Sequence, residues 1–202
     1  MLEVEGFILV GGASSRMGTD KALLELGGLS FVERIHAALA AITTKTSLVG
    51  GAGEPRQSWP QLSLVPDVHV KWGALGGVHA ALAACRAEWA AIAACDLPFI
   101  TGELFVRLAS LRENFDAVVP IQIDGRWQPL CALYRASAAR QRAAQLIAEG
   151  ERRPRALLKL LRTRLIAFEE LSDLRGADSF FTNVNTPADY AQARKEGGIS
   201  DE

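Results

Sequence analysis

The sequence predicts an α/β fold, a three-layer αβα sandwich built around one open, mostly parallel sheet. Short apolar, partly β-branched runs (GFILV at 6–10, WAAIAA at 89–94, DAVVP at 116–120) alternate with segments of helical periodicity. The first run stops at Gly11-Gly12, as a buried strand does where it reaches the ligand edge of such a sheet. No repeat, low-complexity tract or interdomain linker interrupts the alternation, so residues 1–202 read as a single domain.

Each element has its own warrant. Gly6 to Val10 is the first strand. Ser30-Phe31-Val32-Glu33 is a capping box, and Phe31, Ile35, Ala38, Leu39 and Ile42 then share one helical face. Ser47–Gly50 and Leu62–Val65 are strand candidates on either side of a Gly/Pro/Ser-rich loop at 51–60. Gly76–Cys85 reads as a helix, and Trp89–Ala94 as a central buried strand that ends in Cys95-Asp96-Leu97-Pro98. Thr101 caps a helix running to Leu111, followed by a strand at Asp116–Pro120. Asp124-Gly125 turns between two strand-like runs, which predicts a hairpin appended to the sheet. Ser137–Ala148 and Pro154–Leu161 are helices, Arg164–Phe168 is a strand, and Thr186-Pro187 opens the last helix, with 191–202 a tail open to fraying.

With 22 Lys+Arg against 23 Asp+Glu, the formal charge of -1 gives no bulk attraction to nucleic acid or to an anionic membrane. Any anionic ligand must be met by local cations. A chain of 202 residues buries roughly 70% of its unfolded surface and needs no disulfide or structural metal to support a core. Cys85, Cys95 and Cys131 are odd in number and sit in apolar runs, as reduced core thiols of a cytoplasmic protein do. The start, MLEVEGFILV, has no positive region, and glycines and His79 interrupt the longest uncharged apolar stretch, so neither a signal peptide nor a membrane span is expected.

The loop from Leu9 to Lys21 carries the chemistry. Gly11 and Gly12 allow close backbone approach, the N–H groups from Ala13 to Ser15 can line an anion-binding concavity, and Arg16 and Lys21 add a guanidinium fork and an ammonium. Together they suit a triphosphate. It is not the dinucleotide fingerprint, which would need glycines at Ala13 and Arg16, nor a P-loop, since Thr19-Asp20 follows Gly18.

GGASSRMGTDKALL at 11–24 resembles the signature loop of the nucleotidyltransferases, and its R-M-G-x-D-K ending is most similar to the molybdenum cofactor guanylyltransferases of the MobA-like family. GALGG at 73–77, CDLPFI at 95–100, QPLCALY at 128–134 and NVNTPADY at 183–190 resemble further segments of that family in the same order. The resemblance implies a Rossmann-like sheet of the nucleotide-diphospho-sugar transferase type. It also implies transfer of GMP from GTP to the phosphate of molybdopterin, with Mg²⁺ as cofactor and molybdoenzyme maturation proteins as further partners.

Residue by residue, the resemblance implies Arg16, Lys21 and Asp96 as the catalytic set and Asp96 as the metal ligand. Leu9, Val10, Gly11, Gly12, Ala13, Ser14, Lys21, Gly50, Asp67, Gly76 and Asp96 would meet the nucleotide, with Asp67 near the guanine base. Asp96 also stands on its own reading, a carboxylate at a strand end over the ligand crevice, where one acid plus substrate phosphates can hold magnesium; Asp before Leu-Pro is equally good turn chemistry. Two positions depart from the family pattern: Gly50 stands where an Asn is usual, and Ala74 where a proline is.

For the acceptor, Arg152, Arg153 and Arg155 cluster before a helix and suit a pterin phosphate or simply water. Asn183 and Asn185 alternate on an extended segment, able to donate amides to the acceptor or to form Asx turns before Thr186. His36, His69 and His79 share no spacing and are given no catalytic role, with His69 left open because it lies near Asp67. None is required, because a phosphate monoester with a second pKa near ~6 arrives mostly ionised. Two alternatives remain: a CTP-dependent cytidylyltransferase acting on molybdopterin or a sugar or polyol phosphate, and a non-catalytic nucleotide-binding module for assembly or regulation.

Overall fold

The computed structural model describes residues 3–10, 21–50, 59, 61–69 and 72–196. The glycine-rich segment 11–20, with Gly11, Gly12, Ala13, Ser14 and Arg16, lies outside the described residues, as does the 51–60 loop apart from Trp59.

The strands are β1 (Val4–Leu9), β2 (Glu25–Leu26), β3 (Leu29–Ser30), β4 (Lys45–Gly50), β5 (Ser63–Pro66), β6 (Trp89–Ala94), β7 (Ala117–Pro120), β8 (Cys131–Arg135) and β9 (Thr163–Ile166). The helices are α1 (Phe31–Leu39), α2 (Ala74–Ala84), α3 (Gly102–Ser110), α4 (Ala136–Ala148), α5 (Pro154–Leu160) and α6 (Pro187–Glu196). Seven strands form one sheet in the order β5-β4-β1-β6-β8-β7-β9. It is parallel except for β8, which runs antiparallel to both neighbours.

The two faces of the sheet carry different helices. Ile35, Leu39, Leu104 and Phe105 of α1 and α3 pack with Ile8 and Ala93 on one side; Val78, Leu82, Ala143, Ile147 and Leu157 of α2, α4 and α5 pack with Phe7 and Ile92 on the other. The alternation of Phe7 and Ile8 between these clusters follows from the two-residue period of a strand buried on both faces. A smaller cluster of Leu26, Phe31, Val184 and Ala193 seats α6 beside the β2–β3 hairpin. No helix among the described residues is long and apolar enough to cross a membrane.

The caps fall where the sequence puts them. Ser30 Oγ accepts from Glu33 N at 3.2 Å while Ser30 N donates to Glu33 Oε2 at 2.7 Å, and Thr101 Oγ1 accepts from Leu104 N at 3.4 Å. Several boundaries move by one or two residues, and four differences in boundary or placement have a visible cause. β1 begins at Val4 because Glu5 is accommodated at the sheet, its carboxylate accepting from Arg86 N at 2.9 Å. The hairpin at 121–134 is not appended to an edge: its first arm is a lone Ile121–Trp127 bridge, and its second arm, β8, inserts between β6 and β7. β9 stops at Ile166, because Glu170 turns back to accept from Ala167 N at 3.0 Å and starts a 3₁₀ turn at Phe168. α6 continues past 190 to Glu196, held by the buried Ala193.

Parallel pairing aligns the carboxyl ends of four strands. Leu9 is level with Val49 on one side and Ala94 on the other, and Gly50 is level with Pro66. The residues that follow, Val10, Asp67, Cys95 and Asp96, therefore leave the sheet along one edge, where ligands bind in open α/β sheets.

Candidate active site

A cavity of about 310 Å³ opens at that edge, and its lining includes Leu9, Val10, Val49 and Ala94 from the strand ends, Gly73, Ala74 and Gly77 from the start of α2, and Lys21, Asp67, Asp96 and Asn185.

Asp96 is fixed from both sides through the backbone. Cys95 N donates to Leu9 O at 3.0 Å, tying the residue before it to β1, and Val184 N donates to Asp96 O at 3.0 Å, tying the segment before α6 to it. Burial raises the Asp96 carboxyl above its ordinary value, and the nearby Lys21 ammonium opposes that shift without cancelling it. Asp67, whose N–H donates to Gly50 O at 3.2 Å, is likewise raised by burial. Two carboxyls with costly ionised forms and one ammonium thus share a single hollow. A bound cation would lower the cost for both acids.

Lys21 stands in the 3₁₀ turn Lys21–Leu23, and its Nζ donates to Asn185 Oδ1 at 2.6 Å. Asn185 is held in turn by the α6 cap. Asp189 Oδ2 accepts from Asn185 N at 2.9 Å and Thr186 N at 2.8 Å, while Thr186 Oγ1 accepts from Asp189 N at 3.1 Å. These bonds, led by the Asn185 N–H, hold the Asp189 carboxyl below its usual range. With its oxygen engaged by Lys21, Asn185 has its amide N–H groups to offer a ligand.

Asn185 also lines a second hollow of about 570 Å³, with Asn183, Gln122, Arg126, Phe168 and Phe181 among its residues. The two hollows meet at Asn185. Gln122 Nε2 donates to Phe181 O at 3.3 Å, which orients its amide.

Not every residue expected at the site is in it. Gly50 contributes its carbonyl to Asp67 but does not line the cavity, and Gly76 lies behind the wall, buried against Trp72 and His69. Arg152 and Arg153 line neither the cavity nor the adjoining hollow. Arg152 stacks on Trp72 with its guanidinium carbon 4.9 Å from the ring centroid, and Arg153 pairs with Glu151 at 2.9 Å. Arg155 stacks on Trp127 at 4.4 Å. Aromatic faces and a carboxylate from neighbouring segments have claimed these cations.

Other lining residues went unnoticed in the sequence. Gly73 and Gly77 flank Gly76 in GALGG, and Cys95 directly precedes Asp96, so neighbours of recognised positions were the available signal. Leu130 lies in the QPLCALY segment, but nothing in that segment places it at the cavity, which it reaches through the insertion of β8. His69 and His79, without shared spacing, nonetheless face each other with ring centroids 5.3 Å apart, and burial, then His69 and Arg140, hold His79 below its ordinary value.

Among the described residues no cluster of three or more His, Cys, Asp or Glu side chains could hold a metal ion by itself. The partly buried Asp96 instead fits an ion that takes its remaining ligands from substrate phosphates and water, as magnesium commonly does.

Residues 6–167 match the MobA-like NTP transferase domain. The chain belongs to that family. A probable molybdenum cofactor guanylyltransferase of Pelotomaculum thermopropionicum is 34% identical over 194 residues, covering 96% of this chain and 93% of that one. One from Bacillus cereus is 34% identical, covering 97% and 98%. Among solved structures, molybdopterin-guanine dinucleotide biosynthesis protein A of Archaeoglobus fulgidus superposes with a TM-score of 0.80 at 25% identity, covering 97% of this chain and all of that one. A 2-C-methyl-D-erythritol 4-phosphate cytidylyltransferase from Thermus thermophilus has the same fold, with a TM-score of 0.72 at 17% identity, covering 98% of this chain and 100% of that one. The fold is thus shared by proteins named for different transfers, and by itself it assigns no substrate.

Proposed function

We propose that this chain is a nucleotidyltransferase that moves GMP from GTP to the phosphate of molybdopterin, releasing diphosphate and forming the guanine dinucleotide form of the molybdenum cofactor. The observation that carries this reading is the convergence of Lys21, Asp96 and Asn185 at the mouth of one cavity that adjoins a second hollow. Relatives named as guanylyltransferases over nearly the full chain support GTP as the donor.

In this reading the nucleotide lies along the carboxyl ends of β1, β4 and β6, and the acceptor lies against Asn183 and Asn185. An oxygen of the acceptor phosphate attacks the α-phosphorus of GTP in line. A P–O–P bond forms, the bond from the α-phosphorus to the oxygen bridging the β-phosphate breaks, and its electron pair leaves with diphosphate. The nucleophile needs no general base, being already an anion. Lys21 places its ammonium where two anions must approach each other, and Arg16 is expected to add a guanidinium from the loop. Asn185 holds Lys21 and, lining both hollows, is suited to offer its amide N–H groups to a ligand there. Asp96 would hold Mg²⁺, which when bound neutralises charge on the donor phosphates. Asp67 is suited to accept from guanine N1–H and the exocyclic amine.

The three free thiols suit a reducing, cytoplasmic setting. The whole chain would act as one domain, and molybdoenzyme maturation proteins would receive the product. The test is diphosphate release by purified protein with Mg²⁺, molybdopterin and either GTP or CTP. Release with GTP is expected; release only with CTP makes the enzyme a cytidylyltransferase, and binding without release makes it a nucleotide-binding module.

A further inference from the structure

The loop joining α4 to α5 is bound to the entry of α2 by contacts that span the molecule's sequence. Trp72 Nε1 donates to Glu151 O at 3.1 Å, Leu75 N donates to Arg152 O at 3.3 Å, and the Arg152 guanidinium stacks over the Trp72 ring at 4.9 Å. The loop side of this junction is rigidified by Glu151, whose carboxylate accepts from Arg152 N at 2.9 Å and Arg153 N at 3.0 Å and is pulled to about 2, chiefly by the Arg153 side chain. On the other side, Trp72 N donates to His69 O at 3.1 Å, and the residues immediately after Trp72, Gly73 and Ala74, form a wall of the cavity.

We infer that Arg152 is a positioning residue for the nucleotide: by stacking on Trp72 it holds the Gly73–Ala74 wall in place, and it does not touch the acceptor. This inference rests on the nucleotidyltransferase reading above. Gly73 has φ +73°, a left-handed conformation that gives this wall no intrinsic preference for its observed shape and leaves it dependent on its neighbours. The wall is exposed at Gly73 and Ala74 and cannot be held by burial. Within the first turn of α2 the Gly73 carbonyl accepts from Gly76 N at 3.1 Å and Gly77 N at 3.4 Å, and from outside that turn the wall is held by the two bonds to the 151–152 loop and by the stacked cation. Because the Arg152 side chain reaches the wall through Trp72, while its carbonyl keeps the bond from Leu75 N in any variant, truncating the side chain can weaken nucleotide binding by no more than the stack itself contributes. An exposed cation–π contact is worth about 0.5–1 kcal/mol, which corresponds to a two- to fivefold loss of affinity.

The test measures GTP affinity by calorimetry with Mg²⁺, together with steady-state KM for GTP and for the acceptor, in wild type, Arg152→Ala, Arg152→Lys and Trp72→Phe. Arg152→Ala should raise the GTP Kd and KM about two- to fivefold, with the acceptor KM and kcat little changed. Arg152→Lys, which keeps a cation over the ring, should restore most of the loss. Trp72→Phe keeps a ring but loses the bond to Glu151 O, and should weaken GTP binding without moving the acceptor KM; it also serves if Arg152→Ala folds poorly. A lowered Tm with unchanged GTP affinity would mean that the junction is only structural, and a raised acceptor KM would make Arg152 an acceptor contact; either result overturns the inference. If wild type binds no nucleotide, the reading it rests on fails as well, whereas wild-type binding with a variant ratio near one sinks this inference alone.

Discussion

Lys21 and Asn185, 164 positions apart in the chain, are joined by a 2.6 Å hydrogen bond from ammonium to amide oxygen. The bond closes the two ends of the sequence over the cavity, and Val184 N, donating to Asp96 O at 3.0 Å, anchors the same segment to the acid opposite. Lys21 is therefore aimed by Asn185. Asn185→Ala should lower kcat/KM by about tenfold or more, since hydrogen bonds to charged groups contribute about 1.5–3 kcal/mol. In a double-mutant cycle with Lys21→Ala, the coupling should be about 0.5–3 kcal/mol. Strictly additive losses would show that the two act separately.

Asp96 should make the protein less stable for the sake of the site. Its carboxyl is raised above the ordinary 3.8 by burial, with Lys21 opposing. Between the unfolded value and the raised folded one, the folded state holds the extra proton, so this contribution is full below the unfolded value and lost as pH rises through the folded one. At pH 7 the ionised, buried form is a liability. Asp96→Asn should therefore abolish turnover, reduce GTP binding far less, and raise Tm at pH 7 in the absence of ligand by roughly 2–4 °C for each kcal/mol relieved. The gain should shrink as pH is lowered toward the unfolded value. A Tm that drops in Asp96→Asn, in scans across pH 4–8, would contradict the burial argument.

The same coupling predicts a shift in the acid limb of activity. Lys21 is the larger of the two influences that oppose the upward pull of burial on the Asp96 carboxyl, the other being a backbone hydrogen bond. Lys21→Met should leave a weaker enzyme whose kcat/KM falls off at higher pH than wild type, because ionised Asp96 then costs more. Matching acid limbs in the two pH–rate profiles would separate Asp96 from Lys21.

Away from the site, Ser30 carries a cap with three functions. Its Oγ accepts from Glu33 N at 3.2 Å and Trp59 Nε1 at 3.3 Å and donates to Glu33 Oε2 at 2.7 Å. Ser30→Ala should cost about 0.5–2 kcal/mol and leave KM for both substrates unchanged. The Glu33 carboxyl, lowered chiefly by the Ser30 hydroxyl, contributes stability present above 4.5 and lost as pH falls through its folded value, so the wild-type advantage over Ser30→Ala should narrow in acid. Thermal melts of both proteins at neutral and acid pH check this.

Local signals made most elements legible. The Ser30 and Thr101 caps and the run WAAIAA state their structure within a few residues, because capping and burial on both faces of a strand are short-range in sequence. Pairing is not. Nothing in CALYR tells it to enter between β6 and β7, and that insertion is what brings Leu130 to the cavity. At the site, Lys21, Asp67, Asp96 and Asn185 were legible as polar groups at strand or helix ends. The stack of Arg152 on Trp72 was not legible, because a charge cluster before a helix looks the same whether its cations meet a substrate phosphate, water or the indole of a tryptophan some eighty positions earlier.

Gly76 offers a test in which two physical effects have opposite signs. It lies in the first turn of α2, where alanine in place of glycine would ordinarily stabilise a helix by up to about 1 kcal/mol. A Cβ at Gly76, however, would come within 2.9 Å of Trp72 Cβ and 3.4 Å of His69 O. Neither neighbour is the free end of a flexible chain, so Trp72 must shift with its backbone, and with it the Arg152 stack and the bond to Glu151 O. Gly76→Ala should therefore lower Tm and raise the GTP Kd, although the new methyl never enters the cavity. Combined with Arg152→Ala, the loss of affinity should be less than the product of the single losses, since both disturb the same wall through Trp72. An unchanged Kd with a raised Tm would mean that helix propensity alone governs the position and that Trp72 is free to move without consequence for the nucleotide.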